Sequence, residues 1–539
     1  MIRNEKRIEK NAIILAAGFG SRLVPLTFDN PKGLIKIKNN ESMIERQIVF
    51  LHSVGITDIT IVVGYMSEAF EEIKNKYKLN IIYNKEFNIS NSMYSLFLAK
   101  DKLKNTYILN SDAWIEKNFF NDKDEHPYLT VIKNQSDSAE VYEWRTKLDK
   151  DNNIINLKPS YLNKNEFYIT GPAYFDEQFS NKYLAVLNEY IKNDEFKQNS
   201  YWEECLFELI KNNKIKANDQ SNNVFEIDNL ENIYEIDKER KILYSNRCLT
   251  EIAKLFNVKI DDINEIQTIK KGLTNNSFSF VVNNTKFVYR SAGKGTENII
   301  DRKREQKVYS LIKNFRFAEK LYFYNPITFS KISYFAIDHK NVDQYNETEV
   351  LSSFKMIREF HDQKYVLGQE FNIEQEINKY LKGITKSKKN VEKESELTHN
   401  IFVILNHLKA LNIPKTLCHI DFIPDNILID KEQNTVLIDY EYAGDADPLI
   451  DIAAFATSAF YDKKWLDKTI GYYFLNQKPT KEQLIRIYGY MAILGYLWWL
   501  WTYVYMDKGD DIGQDYLKHM LNNAKIYTKI LKESDYGIF

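Results

Sequence analysis

Cysteine is scarce in these 539 residues: Cys205, Cys248 and Cys418 stand far apart, odd in number and outside any metal-ligand spacing. That usage argues against a disulfide framework or a structural zinc, and it fits a reducing cytoplasm. A surplus of charge of one sign is missing too. With 73 basic and 75 acidic residues the net charge is −2, so nothing draws the chain to nucleic acid or anionic lipid. Membrane signals fare no better. Arg3–Gly18 sets basic residues before AIILAAG, but that apolar run is short for a signal peptide and passes straight into Gly-x-Gly-Ser-Arg. Ile487–Met506 is twenty uncharged residues, long enough to span a bilayer. Yet Tyr488, Tyr490, Tyr496, Tyr503, Tyr505 and three tryptophans lie along it, where membrane helices keep such rings to their ends. A buried helix is the expectation.

Aromatic residues, by contrast, are plentiful at 14%, and the chain is too long for one core, so two or three domains are expected. The densest chemistry lies between His419 and Tyr442. His419-x-Asp421-x-x-x-x-Asn426 is followed by two apolar strands, Ile427–Ile429 and Val436–Ile438, with Asn434 at their turn and Asp439 after them. Kinase-fold phosphotransferases use this spacing: the first Asp accepts the proton of the attacking hydroxyl, while the Asn and second Asp hold magnesium. Upstream, Lys271-Gly-Leu-Thr-Asn-Asn276-Ser-Phe reads as a turn over phosphates, and the strand FVYR ends in Arg290. Glu305, on a helix expected over Ile300–Ile312, is the partner that would fix Arg290. Helices at Leu351–His361, Ile373–Tyr380 and Leu397–Leu411 suit a helical lower lobe, and Asp451 would cap or buttress the loop.

These features resemble the choline and aminoglycoside kinases. The resemblance implies that Glu441 and Tyr442 supply an acidic and an aromatic wall, and that Trp498 and Trp501 box a trimethylammonium. Trp498, Trp501 and Tyr505 do share one helical face by their spacing, although core packing would account for them as well.

At the other end, Ala12–Ala17 reads as a buried parallel strand that runs into Gly18-Phe-Gly20-Ser21-Arg22. Glycines there let backbone amides approach a polyphosphate, which an arginine can neutralise. A dinucleotide site is excluded, since Leu23 replaces the third glycine of Gly-x-Gly-x-x-Gly. Alternating elements follow: a helix Met43–Val54, strand Ile59–Val63, helix Ser67–Tyr77, strand Asn80–Tyr83 and strand Thr106–Asn110, which ends in Ser111-Asp112. A carboxylate at such a strand end sits where parallel sheets bind ligands. The run AAGFGSRLVPLTFDNPKGLIKI, with IVVGYM, NSMYSLFLA and IYEID, is similar to bacterial CTP:phosphocholine cytidylyltransferases. The resemblance implies a loop at Gly18–Arg22 around the triphosphate, with Ala17 also at the nucleotide, Lys32 on phosphate, and Asn91 and Ser95 reading the base (or capping a helix). It also implies magnesium on Asp112 and Asp237, with Asp228 of the near-copy VFEID as competitor. A quaternary ammonium has no donor and needs ring faces and a carboxylate. Tyr201, Trp202 and Glu203 form one such cluster; Glu140, Tyr142 and Trp144 form another.

The expected fold class is α/β: a Rossmann-like nucleotidyltransferase with a mostly parallel sheet over 1–240, then a two-lobed protein-kinase-like domain over 246–539, divided near 345. The resemblances imply a bifunctional enzyme that phosphorylates choline with ATP and converts phosphocholine and CTP to CDP-choline and pyrophosphate, using Mg2+. Neither nucleic acid nor membrane insertion is expected. Ethanolamine or a sugar as acceptor, or a nucleotide-sensing scaffold without turnover, remain the alternatives.

Overall fold

The computed structural model describes residues 9–135, 142–193, 199–239, 241–269, 275–292, 300–508, 512–534 and 537–539. The chain divides into two compact units, Met1–Thr268 and Ile269–Phe539.

In the first unit the strand Asn11–Ala16 lies between Asp58–Val63 and Thr106–Asn110, parallel to both, and Asn80–Tyr83 extends that edge. These strands read as continuous apolar runs because both faces are covered. Ile13, Leu15 and Ile108 pack against Met93, Leu96 and Phe179, while Ala12, Ile14 and Leu109 pack against Ile44, Ile48 and Phe70. Burying each large aliphatic side chain stabilises the sheet by about 1.5–3 kcal/mol. Antiparallel strands form the other edge: Phe167–Phe175 pairs with Thr106–Asn110, Tyr128–Lys133 and the start of the Tyr142–Leu148/Ile154–Tyr161 hairpin.

A smaller ladder has the larger consequence. Ala113–Ile115 runs antiparallel to Val224–Glu226, with Glu226 opposite Ala113, and the Ile227 amide donates to the Asp112 carbonyl at 3.0 Å. VFEID is thus the closing strand, and IYEID is not: Ile233–Ile236 is a helical turn. Asn232 and Asn229 cap each other's backbone and reverse the chain directly after Asp228. The helices Lys241–Ser245 and Arg247–Phe256 also belong to this unit, through Arg247–Asp29 at 3.3 Å and Asn246 to the Pro25 carbonyl at 3.5 Å. The structural boundary therefore falls after residue 268 rather than at 240–246.

The second unit opens with an antiparallel sheet in the order Asn275–Val282, Thr285–Ala292, Lys331–Tyr334, Leu321–Tyr324, with the helix Arg302–Ile312 following the second strand. Helices Glu347–Asp362, Ile373–Gly383 and Ser395–Ala410 come next. The uncharged stretch lies within a helix from Lys481 to Lys508, whose Met491, Leu494, Leu497 and Leu500 are sealed in the core. Among the described residues no helix is long and apolar enough to cross a membrane.

Candidate active sites

In the first unit the loop after Asn11–Ala16 is bent by Gly20, whose φ of 69° lies in the left-handed region. A Cβ there would stand 3.0 Å from the Lys32 Cβ, so a side chain would be both strained and tightly crowded. Gly33 gives a second close approach: a Cβ would meet the Ser111 Cβ at 2.8 Å. The two glycines let Lys32 lie beside the end of the strand that carries Asp112. Its Nζ donates to Asp112 Oδ2 and Asp228 Oδ1, each at 2.8 Å, and Arg22 reaches the same Asp228 oxygen at 3.0 Å. Gln47, fully buried, donates to the Asn110 and Ala113 carbonyls at 3.0 and 2.8 Å and so pins the backbone on either side of Asp112.

Three more carboxylates face this cluster. Glu226 lies two residues before Asp228 and hence on the same face of its strand. Burial, then the charges of Asp112, Glu143 and Asp228, hold its carboxyl well above the usual range. Glu143 is pushed up to about 7 by burial and the Asp228 charge, against Arg22. Glu203 is pushed up to about 8, chiefly by burial. Asp228 goes the other way: burial would raise it, but Lys32 and Arg22 hold it low.

In the second unit the catalytic-loop candidates converge. Asn426 Nδ2 donates to Asp421 Oδ2 at 2.8 Å and to the Asp421 carbonyl at 2.9 Å. Burial, then the charges of Asp439 and Glu441, push Asp421 up to about 7. Ile420 and Asp439 have φ of 68° and 62°, a conformation that a β-branched residue such as Ile420 rarely adopts. Strain of that kind is worth about 1–3 kcal/mol per residue and needs support. Asp451 supplies it: its two carboxylate oxygens accept the His419 and Ile420 amides at 2.9 and 2.7 Å and also meet His361 Nε2. Arg290 bonds Glu305 and, at 2.9 Å, Asp439 Oδ1. Burial would raise Glu305, but Arg290, Lys331 and Arg302 hold it low. Tyr442, on whose hydroxyl the Asp421 charge acts, begins a cluster of buried rings. The Tyr442 and Trp498 rings meet edge-on at 5.4 Å, Trp498 and Trp501 at 6.0 Å, and Trp501 lies 4.5 Å from Tyr505.

Comparison with known proteins places both units among known families. Residues 11–198 match the family described as Nucleotidyl transferase, and residues 266–488 match Choline/ethanolamine kinase. A choline-phosphate cytidylyltransferase of Haemophilus influenzae is 34% identical over 229 residues, 42% of this chain and 95% of that protein. One from Streptococcus pneumoniae is 31% identical over 229 residues, 42% of this chain and 96% of its own. The chain belongs to the choline-phosphate cytidylyltransferase family. Behind that unit it carries a kinase unit. A solved choline kinase from Streptococcus pneumoniae is 23% identical, spans 52% of this chain and 97% of its own, and has a TM-score of 0.46.

The structure redistributes several predicted site residues of this cytidylyltransferase. Asp228 takes the position expected of Asp237, whose carboxylate instead accepts the Glu239 and Lys241 amides at 3.2 and 2.9 Å. Trp202 cannot offer a ring face: it is 1% exposed, packed on Phe175 and Tyr183, with its N–H directed to Asn110. Tyr201 does face outward, edge-on to Trp144 at 6.1 Å. Ser95 is enclosed and accepts from Asn84 at 3.0 Å, and Asn91 caps the helix Ser92–Leu98, the capping role that was the alternative to base reading. The Ala17 carbonyl accepts the Tyr65 amide at 3.0 Å, and Gly18 and Ser21 flank the Gly20 bend. Glu140 and the turn over 270–274 lie outside the described residues. Asn276 pairs with Ser291 in the sheet, whereas its neighbour Asn275 bonds Glu441 at 2.9 Å. Glu441 is therefore tied to that strand and to Arg302 rather than free as a wall. Gln47, Glu143, Glu226, Asn275 and Arg302 were missed. Only Glu226 left a local trace, the two-residue spacing from Asp228.

Proposed function

We propose that this chain makes CDP-choline from choline in two steps, one on each unit. In the second unit Asp421 takes the proton of the choline hydroxyl as it attacks the γ-phosphate of ATP, and Arg290, fixed by Glu305, pairs with the phosphates. Tyr442, Trp498 and Trp501 receive the trimethylammonium, at roughly 0.5–2 kcal/mol per ring. In the first unit a phosphocholine oxygen attacks the α-phosphate of CTP in line and pyrophosphate leaves. Lys32 and Arg22 neutralise the phosphates; Trp144 and Tyr201, with Glu143, Glu203 and Glu226, hold the ammonium.

Magnesium fits both donor sets. Asp112 and Asp228 already converge on one cation, the Lys32 ammonium. In the second unit Asp439 and the Asn426 carbonyl oxygen would hold it. The ion, when bound, neutralises phosphate oxygens and aligns them for displacement.

The observation that carries this reading is the edge-on cluster of Tyr442, Trp498 and Trp501, with Tyr442 within the field of the Asp421 charge, which suits a cation that cannot donate a hydrogen bond. The test is to incubate the chain with choline, ATP, CTP and magnesium. CDP-choline should form, and omitting ATP should stop it unless phosphocholine is supplied. No product from phosphocholine and CTP, or none from choline and ATP, would remove the corresponding half.

A further inference from the structure

Arg302 opens the helix Arg302–Ile312, in a run, DRKRE, that reads as a solvated helix start. The residue is nonetheless buried. Its Nη1 meets Glu305 Oε2 and Glu441 Oε2, each at 3.1 Å, and its Nη2 donates to Asn275 Oδ1 at 2.9 Å. Asn275 Nδ2 closes the circuit by donating to the same Glu441 oxygen at 2.9 Å. Three buried side chains from three elements thus form one ring. Asn275 begins the strand Asn275–Val282, which follows the stretch expected over the phosphates. Glu441 follows Asp439 by two residues. Arg302 sits one turn before Glu305, which holds Arg290. A guanidinium offers its donors in a rigid fork and can serve three acceptors in fixed directions; a lysine ammonium cannot.

We propose that this ring is a positioning device for the nucleotide and its metal, with Arg302 at its centre. It fixes the strand leaving the nucleotide turn against the backbone that carries Asp439, and Glu441 is a link in it rather than a contact for choline. The inference deepens the kinase reading and rests on it for the identity of the nucleotide. If Arg302 is lost, Glu441 keeps Asn275 and the charge of Arg290 but loses its bonded guanidinium two residues from Asp439, and the metal-holding backbone must shift to compensate. A network that only stabilised the fold would lower the melting temperature and leave the binding of either substrate alone.

The experiment compares Arg302→Lys and Glu441→Gln in the full chain, measuring MgADP affinity by calorimetry and the KM values for ATP and choline. Both variants should weaken MgADP by about tenfold or more, with the choline KM shifted less than about twofold. The double variant Arg302→Gln/Glu441→Gln removes both charges of the pair, and its MgADP affinity should stay within about threefold of Glu441→Gln alone rather than fall further. If Arg302→Lys does not fold, Glu441→Gln and the double variant carry the test. A rise in choline KM for Glu441→Gln with unchanged MgADP affinity would return Glu441 to the acceptor wall and overturn the proposal. So would a loss of melting temperature with both affinities unchanged. MgADP binding needs no acceptor, so a chain that failed to phosphorylate choline would still report on the ring.

Discussion

In the first unit Asp112, Asp228, Glu226, Glu143 and Glu203 gather around only two cations, Lys32 and Arg22. In the second, Glu305, Asp439 and Glu441 are each tied to Arg290 or Arg302, and the proposed cation site is a cluster of largely buried rings. The difference follows from what each site must take. A surplus of buried carboxylate is unfavourable until cations arrive, so the first unit is suited to a metal and a quaternary ammonium close together. On the proposed reading, the second unit meets the ammonium chiefly with aromatic faces, and the first chiefly with carboxylates beside Trp144 and Tyr201.

Removing the central carboxylate of each site should break that comparison most sharply. Asp421→Ala should lower choline phosphorylation by about 10²–10⁴-fold while phosphocholine still becomes CDP-choline. Asp112→Ala should do the converse and stall at phosphocholine, as followed by chromatography of both products. Next in size is the choice between the two near-copies in the first unit. Asp228→Asn should cost about 10²-fold in cytidylyl transfer. Asp237→Asn should leave the rate within about threefold and the melting temperature nearly unchanged, since asparagine caps backbone amides about as well as aspartate. Equal losses for the two would mean that the ladder between Ala113–Ile115 and Val224–Glu226 does not define the site.

The ring side of the comparison predicts a smaller effect. Trp501→Ala should raise the choline KM roughly 2- to 30-fold with the ATP KM unchanged, since one cation–π contact is removed. A parallel rise in both would make Trp501 a core residue. Smallest is an effect of pH on stability. Burial would raise the Glu319 carboxyl, but the Lys331 ammonium and the hydrogen bonds of Lys331 and Tyr309 hold it down at about 2, below its ordinary 4.5. Its folded-state value lies below the unfolded one, so the pair stabilises the second unit above about 4.5 and loses that contribution as pH falls toward about 2. Thermal melts across that window should fall less steeply for Glu319→Gln than for the parent chain.

How much of this was legible depended on sequence distance. Asp421, Asn426 and Asp439 lie within one loop and hairpin, so their spacing alone brought them together. The parallel strands and the Gly20 bend were likewise written in short apolar runs and a glycine pair. Asp228 against Asp237 could not be settled locally, because VFEID and IYEID present the same pattern and only pairing with residues more than a hundred positions earlier separates them. Trp202 was misread since a tryptophan beside an acid looks alike whether its ring is exposed or packed on Phe175 and Tyr183. Glu441 failed for a related reason: its partners Asn275 and Arg302 lie 166 and 139 residues away.

The account stands or falls on headgroup preference measured at both units of one preparation, as kcat/KM for choline against ethanolamine and for phosphocholine against phosphoethanolamine. Preference for the trimethylated substrate by about tenfold or more in each assay is the predicted result. Equal or faster turnover of the aminoethyl substrate by either unit would contradict it.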